Sequence, residues 1–233
     1  MKNTNIKVLS DSLGQRKSRT TVAECNDHIV ELVIEPGAFS TSLGSYHHSD
    51  LGIYVLEGTI EVTAAGGKQK LESGSFCTVS RMEAHQISSN GKAIYLSYLR
   101  DRCGWTEEKS YTTTFLPKVV NVVDKASAKD TDHCNFVIAN INDHEVRLGI
   151  HKGDYNEHHH SNSDECFLFL EGKYFLAHML GEEELECFDF VSVNKLEAHK
   201  PYMPKRTFLL YFHKKGIRTV NYEGSELNFF TDV

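Results

Sequence analysis

The segment YVLEGTIEV at residues 54–62 recurs as LFLEGKYFL at 168–176, and SRMEAHQ at 80–86 recurs as NKLEAHK at 194–200. The displacement is 114 residues both times. A constant displacement over two separated segments means that the second half of the chain repeats the first in order. Whatever architecture the first half adopts, the second must therefore adopt again. The repeat units run from about Ile29 to Leu99 and from about Glu145 to Phe212, and each has strands enough for one small barrel or sandwich.

The strand content is read from runs of β-branched, aromatic and aliphatic residues between turn-like clusters: IVELVI, GIYVL, IEVTA, AIYLSYL, FVIANI, ECFLFL, YFLAHML and FLLYF. No long window keeps an apolar stripe at i, i+3, i+4, i+7 between caps, so helices should be few and short. The expected class is all-β. The stretch between the units, DRCGWTEEKSYTTTFLPKVVNVVDKASAKDTD, is polar and charged, with KVVNVV as its strand candidate.

Composition narrows the function classes. The 25 Lys and Arg against 32 Asp and Glu leave a formal charge of −7, with no basic surplus to neutralise phosphates, so nucleic acid is not an expected partner. No apolar run approaches the ~18 residues of a membrane span, and the N-terminal sequence lacks the continuous apolar stretch of a secretory leader. A soluble, cytoplasmic chain is expected. The six cysteines form no C-x-x-C pair and lie partly inside apolar runs, as reduced, buried thiols do.

The chemistry is concentrated in HHHSNSDECFLFLEG, residues 158–172. Side chains alternate along a strand, so His158 and His160 share a face while His159 points away. Their Cα atoms would lie ~7 Å apart, close enough for two imidazoles to converge on one ion. SNSD is turn chemistry, and Glu165 opens the next strand at the end of a face shared with Phe167 and Phe169. His199, in the repeated LEAH segment, sits on a strand that can return beside the first. Two same-face histidines, a carboxylate and a distant third histidine form a candidate metal set of His158, His160, Glu165 and His199.

These residues carry a resemblance to the cupin superfamily. Its first motif orders Gly, His-X-His, Glu and Gly, as do Gly153, His158, His160, Glu165 and Gly172, with one residue fewer after Gly153. Its second motif ends on a histidine, here His199, without the usual glycines and proline before it or the asparagine after it. In the first unit Gly44, Tyr46 and Leu51 stand where His158, His160 and Glu165 stand, and only His85 has a histidine counterpart, in His199. The chain thus resembles a bicupin of two tandem double-stranded β-helix (jelly-roll) barrels. Residues 1–105 would form an N-terminal barrel with a degenerate metal motif, and residues 106–233 a linker and a C-terminal barrel with the metal site. His47 and His48 lie near His85, but a metal-free first barrel is expected.

The resemblance implies one divalent transition metal, iron, manganese, nickel, zinc or cobalt, with open positions for a chelating small organic substrate. A dioxygenase-type oxidoreductase is the leading expectation, because Phe167, Phe169 and neighbouring Tyr and Leu side chains would line an apolar pocket without an assignable cation. A non-redox isomerase or lyase, and a non-enzymatic sensing cupin, are the alternatives. His151, His178 and Tyr202 are candidates for contacts to substrate, and Arg81 with Tyr46 for a small anion in the first barrel. The expected partners are a small-molecule substrate and at most a second copy of the chain, as monomer or homodimer, with no membrane.

Overall fold

The computed structural model describes residues 2–14, 16–111 and 115–222, so TTT at 112–114 of the interunit stretch lies outside the described residues. The architecture is all-β. Two short helices, Ile6–Leu13 and Val122–Ser127, accompany antiparallel sheets among the described residues. No helix among them is long and apolar enough to cross a membrane.

The chain divides into two compact units. Among the described residues, one comprises residues 8–125 with 139–142, and the other comprises residues 2–7, 126–138 and 143–222. In the first, the sheet runs through the strands Trp105–Glu107, Gly44–Tyr46, His85–Ser89, Leu51–Ala64, Ala93–Arg100, His28–Glu35 and Ser18–Cys25 in that spatial order. The second runs through Lys2–Asn5, Asp189–Val193, Glu165–Glu171, His199–Lys214 and His144–Asp154. One long strand in each, Leu51–Ala64 or His199–Lys214, bends to pair with several partners and closes the sheet on itself. Each interior is apolar: Val33, Ile53, Val55, Ile60, Leu71 and Val79 fill one, and Phe169, Leu176, Leu185, Val191, Val193 and Leu209 the other.

Register shows how far the duplication reaches. Leu51 opposes Val79 and Glu165 opposes Val193; Gly44 opposes His85 and His158 opposes His199. Tyr46 opposes Trp105 as His160 opposes Thr219. Each pair is displaced by 114 residues from its counterpart. Upstream the displacement becomes 116, with the turn Asn26-Asp27-His28 recurring as Asn142-Asp143-His144 and both asparagines in the left-handed region, at φ 58° and 55°. Asparagine tolerates that conformation because its short amide bonds locally.

The repeated Glu-Gly is explained by Gly58 and Gly172. Their φ angles are +84° and +93°, and a Cβ would stand 2.2 Å from the Lys92 carbonyl oxygen or 2.5 Å from Thr207 Oγ1. Only glycine combines that backbone with so close an approach.

Of the candidate strand KVVNVV, only Lys118–Asn121 is extended, pairing with Ser75–Val79. The rest departs from expectation and turns helical, because the Asn121 side chain accepts the Asp124 N–H at 3.0 Å as an N-cap. Val122 and Ala126, one helical turn apart, are both fully buried. The same strand-then-helix opens the chain: Lys2–Asn5 pairs with Asp189–Val193, and the helix Ile6–Leu13 begins on the fully buried Ile6. Each lead-in thus completes the sheet of the opposite repeat. All six cysteines are free thiols, four of them buried.

Candidate metal centre

The loop between His160 and Glu165 is built from Ser163 and Asp164. Ser163 Oγ accepts the Lys214 N–H at 3.0 Å, and Asp164 Oδ1 accepts the Lys195 N–H at 2.9 Å. Ser49 and Asp50 repeat both bonds in the first unit, with Arg100 N at 2.8 Å and Arg81 N at 2.9 Å. The turn therefore fixes the start of the following strand in both repeats, and with it the position of Glu165. The strand His158–His160 pairs through His158 with His199 and through all three residues with Thr219–Asn221.

The four side chains of the candidate set lie together. One donor atom from each of His158, His160, Glu165 and His199 lies within 4.8 Å of the others, three of the residues being buried and His158 half-buried. Glu165 Oε2 is 2.8 Å from His160 Nε2 and 3.7 Å from His199 Nε2. Each imidazole is anchored through its other nitrogen. His158 Nδ1 donates to the Asn156 carbonyl at 2.8 Å, His199 Nδ1 to the Glu197 carbonyl at 3.0 Å, and His160 Nδ1 bonds Thr219 Oγ1 at 3.2 Å. Such outer bonds fix ring orientation; those of His158 and His199 put the proton on Nδ1 and leave Nε2 an acceptor, whereas His160 Nε2 bonds the Glu165 carboxylate.

Among the described residues His199 Nε2 is buried with no hydrogen-bond partner, an atom whose lone pair asks for a cation or a donor. Bonds of ~2.1 Å to one ion place neighbouring ligand atoms ~3 Å apart and opposite ones ~4 Å apart, and the 2.8 and 3.7 Å from Glu165 Oε2 to His160 and His199 fall close to that range.

The charges agree with that reading. Burial pushes the His158 pKa down to about 3, helped by the neighbouring His199 and His160. Burial alone would lower His160 too, but the charge and hydrogen bond of Glu165 outweigh it and hold His160 above its ordinary value. Burial would raise the Glu165 carboxyl, yet His160, His199 and His213 hold it well below the usual carboxylate range. Glu165 is thus an anion among imidazoles, ready to ligate without first losing a proton.

A cavity of about 300 Å³ opens onto this cluster, walled by Phe167, Tyr174, Met203 and Leu209. Phe169, expected on the wall, lies instead in the packed interior, fully buried. His151 lines the cavity and bonds Tyr155 Oη at 3.2 Å, its pKa lowered to about 4 by burial and then by His133. His178 and Tyr202 lie off the lining, near Glu183 and against Phe175 respectively. His159 points away, as its parity requires, and bonds Tyr222 Oη at 2.8 Å.

Sequence reasoning missed Arg147. Its guanidinium lines the cavity and donates to Asn135 Oδ1 at 2.8 Å, Glu145 Oε2 at 2.8 Å and Tyr211 Oη at 3.2 Å. The expectation of a pocket without a cation is corrected accordingly. The only signal was alternation: Val146, Leu148 and Ile150 are buried on one face of their strand, and Arg147, Gly149 and His151 share the other.

In the first unit the ligand positions hold Gly44, Tyr46, Leu51 and His85, as aligned. The Trp105 indole fills the space beside Gly44, where a Cβ would stand 2.4 Å from its ring. Arg81 is exposed and off that unit's cavity, whereas Tyr46 lines it together with Arg19.

A sequence profile of the cupin domain matches residues 30–99, the barrel whose ligand positions are substituted. An uncharacterized protein of Bacillus subtilis (strain 168), YdbB, is 34% identical over 106 residues, covering 45% of this chain and 94% of that protein. The chain belongs to the cupin family. As a bicupin, it also superimposes on solved structures. The salicylate 1,2-dioxygenase of Pseudoaminobacter salicylatoxidans gives a TM-score of 0.74 at 9% identity, over 93% of this chain and 84% of that one. A cupin 2 conserved barrel domain protein of Leptotrichia buccalis gives 0.72 at 10% identity, over 91% and 95%. At such identities the likeness is one of fold.

Proposed function

We propose that this bicupin is a metal-dependent oxidoreductase of the dioxygenase type, holding one divalent transition metal on His158, His160, Glu165 and His199. The observation that carries the reading is the convergence of three outer-anchored imidazoles and an ionised carboxylate at the floor of a 300 Å³ cavity. A bound iron, manganese, nickel, cobalt or zinc ion would supply Lewis acidity there and, where redox-active, a means of using oxygen.

The chain's own residues define the rest. Asn156, Glu197 and Thr219 hold the three rings in place, and Phe167, Met203 and Leu209 exclude water from one side of the substrate. Arg147 and Tyr211 offer donors to an oxygen of the substrate, and His151 stands close enough to the cluster to feel the charge of Glu165. A small organic acid or enol that chelates through oxygen fits this arrangement. A structural neighbour of the same fold is described as a salicylate 1,2-dioxygenase.

Arg147 also favours a second reading, a non-redox isomerase or lyase acting on an anionic substrate. Its pairing with Glu145 offsets that charge and leaves the oxidoreductase reading ahead. The proposed partners are a small-molecule substrate and at most a second copy of the chain.

Elemental analysis of purified wild type beside His158→Ala tests the site. About one ion per chain is expected in the wild type, and a loss of affinity beyond the ~10–100-fold cost of outer-sphere changes in the variant. Equal metal content in both would sink the proposal. Oxygen uptake by iron- or manganese-loaded protein over enols, catechols and thiols then tests the reaction. Turnover without oxygen consumption would move the assignment to the isomerase class.

A further inference from the structure

The first barrel keeps the machinery that aims a histidine inward but none of its ligand partners. His85 Nδ1 donates to the Glu83 carbonyl at 2.9 Å, as His199 Nδ1 does to Glu197. Its Nε2 is buried with no hydrogen-bond partner among the described residues, and the residue is 1% exposed. With Gly44, Tyr46 and Leu51 at the other ligand positions, no metal set is completed there among the described residues. His85 lines a cavity of about 220 Å³ together with Arg19, Tyr46, Ile53, Tyr95 and Trp105 among others.

The geometry points to a second binding site in this cavity, for a small ring compound carrying an O–H or N–H group that donates to His85 Nε2. Burial lowers the His85 pKa, so the ring is neutral near pH 7, and the Nδ1 bond leaves the lone pair on Nε2. A buried acceptor with no donor is a cost that a donating ligand removes. The walls set the rest of the shape. The Trp105 ring stands edge-on to His85 at 5.3 Å and to Tyr46 at 5.0 Å, and Ile53 adds apolar surface. The volume is below the ~300 Å³ lower bound typical of drug-sized pockets, which restricts the occupant to about one ring.

The polar end of the cavity is also built. Arg19 donates to Glu31 at 2.7 Å, and Ser97 donates to the same carboxylate at 3.1 Å. Arg19, Glu31 and Ser97 occupy the repeat positions of Asn135, Arg147 and Tyr211, which bond one another in the other barrel. The cation has changed strands, yet the network across those strands is kept. This arrangement offers guanidinium and Tyr46 hydroxyl donors to an oxygen at the far side of the ring.

Trp105 is the only tryptophan of the chain, so its fluorescence reads this cavity and not the metal centre. Titration of the full chain with phenol, with pyrrole and with anisole, which lacks the donor, tests the assignment. A saturable change is expected with phenol or pyrrole, at roughly tenfold higher affinity than with anisole, and that preference should vanish in His85→Phe. No saturable change, equal affinity for donor and non-donor rings, or a preference that survives His85→Phe would each overturn it. Should His85→Phe fail to fold, the comparison of phenol and pyrrole with anisole on the wild type decides alone.

Discussion

One carbonyl orients His85 and another His199. Glu83 and Glu197 both precede their histidine by two residues, and both accept its Nδ1–H, so Nε2 is presented to the barrel interior whether or not other ligands join it. The leucine or methionine before each glutamate takes a left-handed conformation, φ 64° at Met82 and 68° at Leu196, and donates its N–H to Tyr46 or His160. The short motif was legible because its chemistry is local. Its electrostatic consequences were not, since they depend on which groups lie opposite. Replacing Glu165 by Gln should let burial act unopposed on His160 and lower its pKa, the reverse of its present shift, which an NMR titration of metal-free protein would read. His151 makes a second prediction. Its folded pKa of about 4 lies below the ~6.5 of an unfolded histidine, so the unfolded chain binds the proton first. The contribution is fully present above pH ~6.5 and is lost as pH falls towards the folded value, by up to about tenfold in the unfolding equilibrium per pH unit. Urea midpoints of metal-free wild type should fall between pH 7 and 5, and more steeply than those of His151→Gln.

At the level of elements, the alternation of strands carried most of the reading, and local chemistry overrode it where a cap or a close approach intervened. KVVNVV contains two β-branched pairs, yet Asn121 caps a helix between them. Phe169 and Phe167 share parity, but the bulge between Phe169 and Glu171 bends the strand, and only Phe167 reaches the cavity. Periodicity assigns a face; it does not say where along that face the cavity ends. The turn at Gly58 is a firm element-scale commitment. Gly58→Ala forces a Cβ against the Lys92 carbonyl at a positive φ, and a loss of about 2 kcal/mol or more is expected in denaturant unfolding. A loss within a few tenths would contradict the close approach.

Across the molecule, each repeat's lead-in supplies a strand to the opposite repeat's sheet. Ile6 is buried and its N–H donates to the Phe188 carbonyl, and Val122 repeats this with Gly74. Ile6→Ala should therefore destabilise the C-terminal barrel from the first residues of the chain, by ~2–4 kcal/mol for a buried Ile truncation. Metal release under denaturant should shift to lower concentration in that variant while the Trp105 transition holds its midpoint. Coincident shifts of both signals would count against this assignment.

The sequence by itself determined the duplication, the all-β class and the identity of the four converging groups, because strand parity, turn chemistry and the Glu-Ala-His step act over a few residues. Only the tertiary structure decided that Arg147 and Arg19 reach the cavities, that the lead-ins are exchanged, and that His85, whose Nε2 has no hydrogen-bond partner among the described residues, lines a cavity. Those outcomes depend on register and on which strands become neighbours, relations between residues far apart in the chain that no local pattern encodes.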